Sequence, residues 1–499
     1  MRRSTPILVL TFSFLFTSVA SYSQNKTGEL EAVKELAKAN HCAGYYVYKQ
    51  KGYRVNQQLA DKIVRHQYNA DFELTGSYES PTIDYTINLD FIGTPVFSAD
   101  LQLGNSVYEV YIDKKRVWVV APDFVAKKDS IVFKLGRGDH EPDERRLAVI
   151  PHKDGLRIIT FSNKRDKLFL YNWRGEGLID TTVFSLPESP MTPEEIKKYS
   201  KDVKVKYRPA LQDLVVTKAN SNTVLAYPGT NYLYYDDDKI WLLLQTYLGT
   251  GIHVLTLDIK SGAVTTSNFF INDLFKNFHA KADNYRTPYA LIWKNHLIIR
   301  NSSYYFFQYL FYDLATNKLV KEYTATADES FMKLVNSDLN QKGTWLAGGD
   351  EKKLNNEKAY LRKLSSGDGF ICLSGETIDS ITITNGSVKD IKGLAGSMVA
   401  IGTAFIGAAL NLTIGNIQII PYLQTFQKKM VYFHTTFSRG SFDISPSAST
   451  TTMLDKLLEN FERKDLKSKS SFFITTDSKN IMAVFNADTG KFELYTLDE

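Results

Sequence analysis

The sequence predicts a mainly β chain built from repeated antiparallel units, on two observations. Apolar runs end at an aspartate or asparagine turn and a second apolar run follows, as in residues 255–264, 311–320 and 485–494. Residues 168–179 are a looser copy. After Asp71, apolar and polar residues alternate with a period of two, which is typical of half-buried strands. We therefore expect strand–turn–strand units along most of the chain.

The N-terminus predicts export. Arg2 and Arg3 precede an uncharged apolar run over residues 7–20, and small residues follow at Ser21 and Ser23. This pattern is typical of a signal peptide, residues 1–23, cleaved before Gln24. A membrane anchor is the alternative, but a run of about 14 apolar residues is shorter than the roughly 20 that a span needs. We expect a periplasmic, cell-surface or secreted protein.

The charge balance argues against nucleic acid as a partner. Without Arg2 and Arg3, 58 of the 60 basic residues remain against 55 acidic residues. Basic and acidic side chains are interleaved, as in residues 194–202, which is typical of a solvated face.

Two cysteines, Cys42 and Cys372, leave two interpretations open. An exported protein could join them in a disulfide, and buried free thiols are equally consistent with the sequence. Two cysteines alone cannot complete a zinc site.

The spacing of apolar residues divides the chain into segments. Residues 24–70 predict a short helical lead-in, since apolar residues recur at helical spacing in two groups: Leu30, Val33, Leu36 and Ala37, then Leu59, Ile63 and Val64. Residues 71–370 predict the β-repeat domain.

The period of the repeat was measured between similar apolar strands. Strands beginning near Val117, Arg157, Ile240, Leu297 and Thr344 are separated by 40, 83, 57 and 47 residues. If the second step spans two units, the period is roughly 40 to 50 residues, which is the range of propeller blades.

In this pattern the chain resembles secreted β-propeller proteins, whose blades repeat a short apolar strand, a loop, a second strand, an aspartate turn and a third strand. The resemblance covers about residues 100–365 and 470–499 and includes no WD or kelch motif. It implies propeller-like antiparallel units, with residues 471–485 completing the first blade by circular closure. Closure removes exposed sheet edges.

Residues 24–140 also fit a different architecture. The succession of strands in this range, together with the sequence of residues 107–122, resembles the curved half-barrel of exported lipoprotein carriers. This alternative predicts an N-terminal half-barrel domain followed by a separate β domain.

Residues 371–427 form an apolar segment of uncertain structure, with no charge between Lys392 and Lys428. Small residues at Ala400, Ala404 and Ala408 favour a membrane helix over residues 393–421. Alternating apolar residues from Leu410 favour buried core instead, and we prefer that interpretation. Residues 428–499 contain an amphipathic helix at 452–467 and strands expected to close the β domain.

Candidate site residues are few. Residues 139–144 (Asp-His-Glu-Pro-Asp-Glu) and the turn Asp236, Asp237 and Asp238 could bind a cation, but charged turns between strands are ordinary. His253 and His296 lie in apolar strands and are expected to be structural. The aromatic run 304–309 could form a binding platform, although aromatic residues are also enriched in strand packing.

The sequence predicts no catalytic or cofactor-binding residue and leaves the need for a metal unknown. We therefore expect an exported binding or scaffold protein that presents loops to a protein or glycan partner. A glycan-active hydrolase on a propeller scaffold and a membrane-associated protein using residues 393–421 are the alternatives.

Overall fold

The computed structural model describes more than half of the chain. The described residues are 26–31, 41–59, 61–83, 95–113, 116–136, 144–162, 164–175, 177, 179–187, 211, 214–219, 224–226, 230–245, 251–270, 288–302, 306–326, 330–337, 339–342, 357–366, 368–388, 430–446, 452, 455, 471–476, 480–486 and 489–496.

Within these residues, 30 strands form seven sheets. Three sheets near the N-terminus contain four strands each in chain order. Sheet 1 has β2 (His41–Val47), β3 (Gly52–Gln58), β4 (Lys62–Tyr68) and β5 (Leu74–Pro81). Sheet 2 has β6 (Val96–Leu103), β7 (Ser106–Ile112), β8 (Val117–Asp123) and β9 (Lys128–Leu135). Sheet 3 has β10 (Glu144–His152), β11 (Gly155–Ser162), β12 (Lys167–Trp173) and β13 (Ile179–Ser185).

Of the next three sheets, two contain five strands and one contains four. Sheet 4 has β14 (Leu214–Lys218), β16 (Asn231–Tyr235), β17 (Lys239–Leu244), β18 (Gly251–Asp258) and β19 (Val264–Phe270), with β14 parallel to β16. Sheet 5 has β20 (Tyr289–Trp293), β21 (His296–Ser302), β22 (Phe306–Asp313) and β23 (Lys318–Thr326). Sheet 6 has, in sheet order, β15 (Val224–Ala226), β25 (Asp368–Glu376), β26 (Ser380–Val388), β27 (Met430–Ser438) and β24 (Asn340–Lys342).

Sheet 7 contains strands from both ends of the described chain. Its order is β1 (Lys26–Glu31), β30 (Lys491–Thr496), β29 (Asn480–Asn486) and β28 (Ser471–Thr475). The N-terminal strand pairs antiparallel with the last strand, so that Leu30 lies opposite Phe492. Pairing between the two ends of a chain is the usual means of closing a circular β fold.

Successive sheets pack face to face through apolar clusters. Neighbouring residues of one strand point to opposite clusters: Val117 and Val119 of β8 pack between sheets 2 and 3, whereas Trp118 and Val120 pack between sheets 1 and 2. The first strands of neighbouring sheets also contact each other: β28 contacts β2, and β2 contacts β6. Because strands are buried on both faces, they read as continuous apolar runs. The fold is mainly β and propeller-like.

The repeated aspartate or asparagine closes the turns between strands. Asp258, Asp313 and Asn486 each accept a hydrogen bond from the backbone N–H three residues later, at 2.8, 2.8 and 3.3 Å. The residue after that donor has a left-handed backbone in every case, at Gly262, Asn317 and Gly490. A short polar acceptor followed by a residue that tolerates positive φ is what such a turn requires.

These turns also join neighbouring sheets. The ring of Phe124, in the β8–β9 turn, packs edge-on against Tyr78 of sheet 1. The backbone oxygen of Phe442, after β27, accepts a 2.9 Å hydrogen bond from the Tyr323 hydroxyl of sheet 5. In both cases a turn of one sheet contacts the outermost strand of the neighbouring sheet, β5 in sheet 1 and β23 in sheet 5.

The predicted helical lead-in over residues 24–70 is wrong for the described residues. β1, β2, β3 and β4 occupy most of this range, and the sheets begin before the predicted boundary at residue 71. All seven residues of β3 are buried. Burial on both faces removes the period of two, and apolar residues then recur by chance at helical spacings.

The half-barrel alternative for residues 24–140 is also wrong. Residues 41–81 and 96–135 form two separate sheets, and no pairing joins β5 to β6 among the described strands. The region 107–122 is the ordinary hairpin of β7 and β8.

The proposed unit spacing needs correction as well. Arg157, Ile240 and Leu297 lie in second strands of their units, but Val117 lies in a third strand. Sheets 3 and 4 share an apolar cluster, so the 83-residue step from Arg157 to Ile240 is one unit and not two. The extra length includes residues between β13 and β14 and the excursion of β15 to sheet 6.

Part of the apolar segment 371–427 belongs to a regular sheet. Residues 368–376 and 380–388 form β25 and β26, against which the helix α1 (Glu357–Ser366) packs. Residues 1–23, 193–199 and 389–429 lie outside the described residues, as does most of the predicted helix 452–467. No helix of the described residues is long and apolar enough to cross a membrane.

Candidate functional site

A row of polar side chains crosses the outer part of sheet 3 on the face toward sheet 4. Arg157 of β11 is the cross-strand partner of Asn172 of β12, and Asn172 is the partner of Asp180 of β13. Directly opposite residues in antiparallel strands lie on the same face of a sheet. Arg174, in the turn after β12, forms a 2.9 Å ion pair with Asp180. We call these four residues the polar row.

A cavity of about 140 Å³ lies beside this row. Its walls are the β10–β11 turn, the start of β11 and the end of β12, and the lining residues are His152, Asp154, Gly155, Leu156, Arg157, Asn172, Trp173 and Arg174. Gly155 has a positive φ, and a Cβ there would lie 1.9 Å from the Trp173 carbonyl oxygen. The tight turn therefore requires glycine at the floor of the cavity. We call this the rim cavity.

The aspartate turn of sheet 4 lies against the rim cavity. Arg157 donates to the backbone oxygens of Asp236 and Asp237, at 3.1 and 2.8 Å. Lys153 Nζ lies 3.1 Å from Asp237 Oδ2. Asp236 Oδ1 accepts from the backbone N–H groups of Asp238 and Lys239. The predicted solvated turn is thus also a polar contact between two sheets.

His152 stands between the two turns. Its Nδ1 accepts from the backbone N–H of Asp154 at 3.2 Å, and its Nε2 lies 3.3 Å from Asp237 Oδ1. Because Nδ1 accepts a hydrogen bond, the ring proton lies on Nε2, which faces the carboxylate of Asp237. Burial, together with the nearby Arg157 charge, lowers the pKa of His152. Both effects favour the neutral imidazole, whereas the carboxylates of Asp237 and Asp154 oppose them.

The size of the rim cavity limits what it can hold. Sites for small molecules are usually about 300–1,000 Å³. A cavity of about 140 Å³ fits one side chain or one sugar unit of a larger partner. Arg174 lines the cavity, and it and its ion-pair partner Asp180 are accessible, with 59% and 62% of their side chains exposed.

Residues 139–144 and the turn at Asp236 to Asp238 were expected to be ordinary charged turns, with cation binding as the less favoured interpretation. Residues 139–143 lie outside the described residues; Glu144 accepts hydrogen bonds from the hydroxyls of Thr160 and Tyr171, at 2.6 and 2.9 Å. No group of three histidine, cysteine or acidic residues suited to a metal occurs in the part of the chain that the structure describes.

Both predicted histidines lie within the packed sheets. His253 is fully buried in β18 and hydrogen bonds to Asn268, and burial lowers its pKa. His296 stacks on Trp293, and burial likewise lowers its pKa. The aromatic run behaves similarly: Phe306, Phe307 and Tyr309 are buried in the apolar cluster of sheets 4 to 6. These residues pack and do not form an exposed platform.

One arrangement in sheet 6 has the residue types of a catalytic triad. Thr384 Oγ1 lies 2.7 Å from His434 Nδ1, and His434 Nε2 lies 3.1 Å from Asp455 Oδ2. Thr384 lies in the middle strand β26 and is fully buried, so no substrate reaches its hydroxyl. Asp455 also accepts from the backbone N–H and hydroxyl of Thr452. The arrangement attaches the segment at 452–455 to sheet 6.

A second buried network joins sheets 1 and 2. The guanidinium of Arg65 lies 2.9 Å from Glu109 and 2.9 Å from Asp129. The hydroxyls of Tyr45 and Tyr111 donate to the same Glu109 carboxylate. Burial opposes the charge on Glu109, but Arg65 and these hydrogen bonds outweigh it and lower the pKa of Glu109. The network is inaccessible and acts on stability.

The two cysteines are buried free thiols. Cys42 lies in sheet 1 and Cys372 in sheet 6. Burial raises the pKa of Cys42 to about 12, and also raises that of Cys372. The disulfide alternative is therefore wrong, and neither thiol is activated.

Sequence reasoning missed the polar row. The sequence predicts that Arg157 lies in a strand and that Asp236 to Asp238 form a charged turn. Their contact depends on how sheets 3 and 4 pack. Asn172 and Arg174 lie within the looser copy of the strand–turn repeat, and Asp180 directly follows it. The pairing of Asn172 with Asp180 could be inferred from a regular hairpin, had the ends of β12 and β13 been known.

The chain was compared with protein families, curated proteins and solved structures. No family model and no curated protein matches the chain. Among solved structures, it is similar to the Nup133 β-propeller domain of Vanderwaltozyma polyspora, with 10% identity, 94% of this chain and 97% of that chain covered, and a TM-score of 0.33. The Dos1 propeller gives 9% identity, coverage of 95% and 97%, and a TM-score of 0.33. Saccharomyces cerevisiae Sqt1 gives 6% identity, coverage of 92% and 85%, and a TM-score of 0.30.

Proposed function

We propose that this chain is an exported binding protein whose propeller-like scaffold presents surface turns to a protein or glycan partner. The observation that carries this proposal is the rim cavity beside the exposed Arg174–Asp180 pair. The cavity is smaller than usual small-molecule sites, and it lies beside charged groups that a larger partner can contact. The strands of sheet 3, on which these groups lie, hold them in fixed positions.

Export is part of the proposal and rests on the charged, apolar and small residues of positions 1–23. Expression of the full chain in a bacterial host, followed by N-terminal sequencing of the exported product, tests it. We expect the product to begin at Gln24. Full-length protein retained in the cytoplasm would contradict export without affecting the binding proposal.

Binding is tested by applying the purified chain to a glycan array and to a peptide array. We expect a defined set of ligands whose signal falls in Arg174→Ala. The matched control is Lys62→Ala, which removes the exposed ion pair of Lys62 with Glu79 in sheet 1. Equal losses in both variants, or ligands insensitive to Arg174→Ala, would contradict binding at the rim cavity.

A further inference from the structure

We propose that His152 makes the rim cavity sensitive to acid: the neutral imidazole holds the turn that forms one wall, and protonation of the ring releases that turn and weakens binding of the partner. This names the regulation of the proposed binding site and rests on the proposed function. The inference stands on the contacts of the two ring nitrogens, on the charges that face the ring and on the place of the turn in the cavity wall.

Both nitrogens of the His152 ring make contacts that suit the neutral form. The backbone N–H of Asp154 donates to Nδ1 at 3.2 Å, so Nδ1 has to offer a lone pair. Nε2 lies 3.3 Å from Asp237 Oδ1, and a proton on this nitrogen faces the carboxylate. The tautomer with its proton on Nε2 meets both demands. A hydrogen bond that only the neutral form can accept disfavours protonation.

Protonation of Nδ1 changes the turn. A proton on Nδ1 would meet the backbone N–H of Asp154, so the 3.2 Å hydrogen bond has to break. The carboxylate of the same residue offers a replacement, because Asp154 Oδ2 already lies 3.6 Å from Nδ1. The charged ring therefore exchanges the backbone of Asp154 for its side chain. The proton comes from the solvent.

The charges closest to the ring act in opposite directions. Burial and the guanidinium of Arg157 disfavour a positive charge on His152, whereas the carboxylates of Asp237 and Asp154 favour it. Lys153 forms a 3.1 Å ion pair with Asp237, which weakens the attraction of that carboxylate for the ring. Burial and Arg157 outweigh the carboxylates, so the pKa of His152 is lowered from its usual 6.5.

The other charged residues beside the cavity belong to groups that ordinarily titrate at more extreme pH. Asp236 and Asp238 lie in the same turn of sheet 4, and Asp236 Oδ1 accepts from backbone N–H groups of that turn. Arg174 lines the cavity and is paired with Asp180. Histidine is the side chain whose ordinary pKa lies between about pH 5 and 8, and the histidine of this cavity is His152.

The turn that responds to protonation is a wall of the rim cavity. His152, Asp154 and Gly155 all line it. The Asp154 side chain is 69% exposed, so it can turn toward the charged ring at little steric cost. A partner that fits the neutral arrangement competes with the proton, and its affinity then falls about tenfold for each pH unit below the midpoint of the titration.

The first test uses the purified full chain without a partner, isotope-labelled at its eight histidines. The NMR signal of His152 is the one that disappears in His152→Asn. Spectra from about pH 8 to about pH 5 should show the proton of the neutral ring on Nε2 and a midpoint below 6.5. A neutral ring with its proton on Nδ1, or a midpoint above 6.5, would overturn the inference.

Hydrogen exchange then localises the change. After correction for the pH dependence of intrinsic exchange, the peptide of residues 152–157 should lose protection in acid. His152→Asn keeps an acceptor near the position of Nδ1 and cannot titrate, so its protection should not depend on pH. His152→Gln replaces it if that variant fails to fold. Equal acid sensitivity in the parent protein and in the variant contradicts the inference.

His296→Asn is the matched control. His296 also borders a turn between the first two strands of its sheet, sheet 5, and burial lowers its pKa too. It does not line the rim cavity. The acid response of residues 152–157 should therefore be the same in His296→Asn as in the parent protein. Loss of the response in this variant would show that it does not arise at His152.

The glycan and peptide arrays, probed at about pH 8 and about pH 5, test the effect on binding. For ligands whose signal depends on Arg174, the signal of the parent protein should fall several-fold in acid. In His152→Asn the ratio of the two signals should stay near one, whatever their absolute size. The same ratio in both proteins would overturn the regulation and leave the proposed function standing. If no array ligand depends on Arg174, the proposed function is wrong and the regulation of binding fails with it.

Discussion

The ring of Phe72 lies directly against Gly28, so that a Cβ at residue 28 would be 2.5 Å from Phe72 Cδ2. Gly28 belongs to the N-terminal strand β1 of sheet 7, and Phe72 belongs to the turn between β4 and β5 of sheet 1. The contact joins the outermost strand of the sheet that contains both chain ends to the next sheet. The contribution of this contact to the free energy of unfolding can be measured directly.

Gly28→Ala should destabilise the protein. The Phe72 ring would have to move, but it is stacked on Tyr53 with ring centres 4.8 Å apart, which limits that movement. Overpacking of this kind costs about 1–3 kcal/mol. Gly76→Ala is the control, because a Cβ there meets Phe124 at an ordinary 3.4 Å. Guanidinium unfolding should show a loss for Gly28→Ala only; equal stability of both variants would contradict the contact.

We expect Glu109→Gln to lower the free energy of unfolding by about 3 kcal/mol. This value is at the low end of the range for breaking a buried ion pair, because Arg65 keeps Asp129 as a partner. Glu79→Gln is the control, because its pair with Lys62 is exposed and such pairs contribute about 0–1 kcal/mol. Measurement of the free energies of unfolding of both variants tests this prediction. A loss below 1 kcal/mol for Glu109→Gln would show that the network is not coupled to folding.

Asp455 should make stability depend on pH in the acid range. Burial opposes its charge, but His434 and the groups of Thr452 outweigh this effect and lower the pKa of Asp455 from 3.8 to about 2. A lowered folded-state pKa stabilises the fold above the unfolded value, and this contribution is lost as the pH falls from about 4 to about 2. The shift corresponds to about 2 kcal/mol. Asp455→Asn should remove that part of the pH dependence in urea unfolding; an unchanged slope would contradict it.

Asp313→Ala should weaken the turn between β22 and β23. The carboxylate accepts from the backbone N–H and the hydroxyl of Thr316, at 2.8 and 3.0 Å. Loss of these acceptors should cost about 1 kcal/mol of unfolding free energy. Asp313→Asn keeps an acceptor and should lie closer to the parent protein. A larger loss for Asp313→Asn than for Asp313→Ala would refute this role of the turn.

The fold class could be predicted because its cause is local. The turn at Asp313 needs a short acceptor and, at Asn317, a residue that tolerates positive φ, and both appear in the sequence at fixed spacing. The first sheet could not be predicted in this way. The strand β3 (Gly52–Gln58) is buried at every position and carries Arg54, Asn56 and Gln57, so neither its period nor its polarity indicates a strand.

The candidate site was beyond sequence reasoning for a different reason. Lys153 and Asp237 are 84 residues apart, and their 3.1 Å contact exists only because sheets 3 and 4 are adjacent. The residue types of each turn can be read from the sequence, but the pairing of turns from different sheets depends on the order and packing of whole sheets. Asn172 carries no local signal at all, since its role follows from its register with Arg157 and Asp180.

The central claim is that the rim cavity of sheet 3 is where the protein binds its partner. Amide hydrogen exchange, with and without a saturating ligand taken from the arrays, tests it most directly. We expect the ligand to slow exchange at residues 152–157 and 172–174 and to leave the turns of sheets 1 and 5 unchanged. Slowed exchange confined to other sheets, with residues 152–157 and 172–174 unaffected, would contradict the claim.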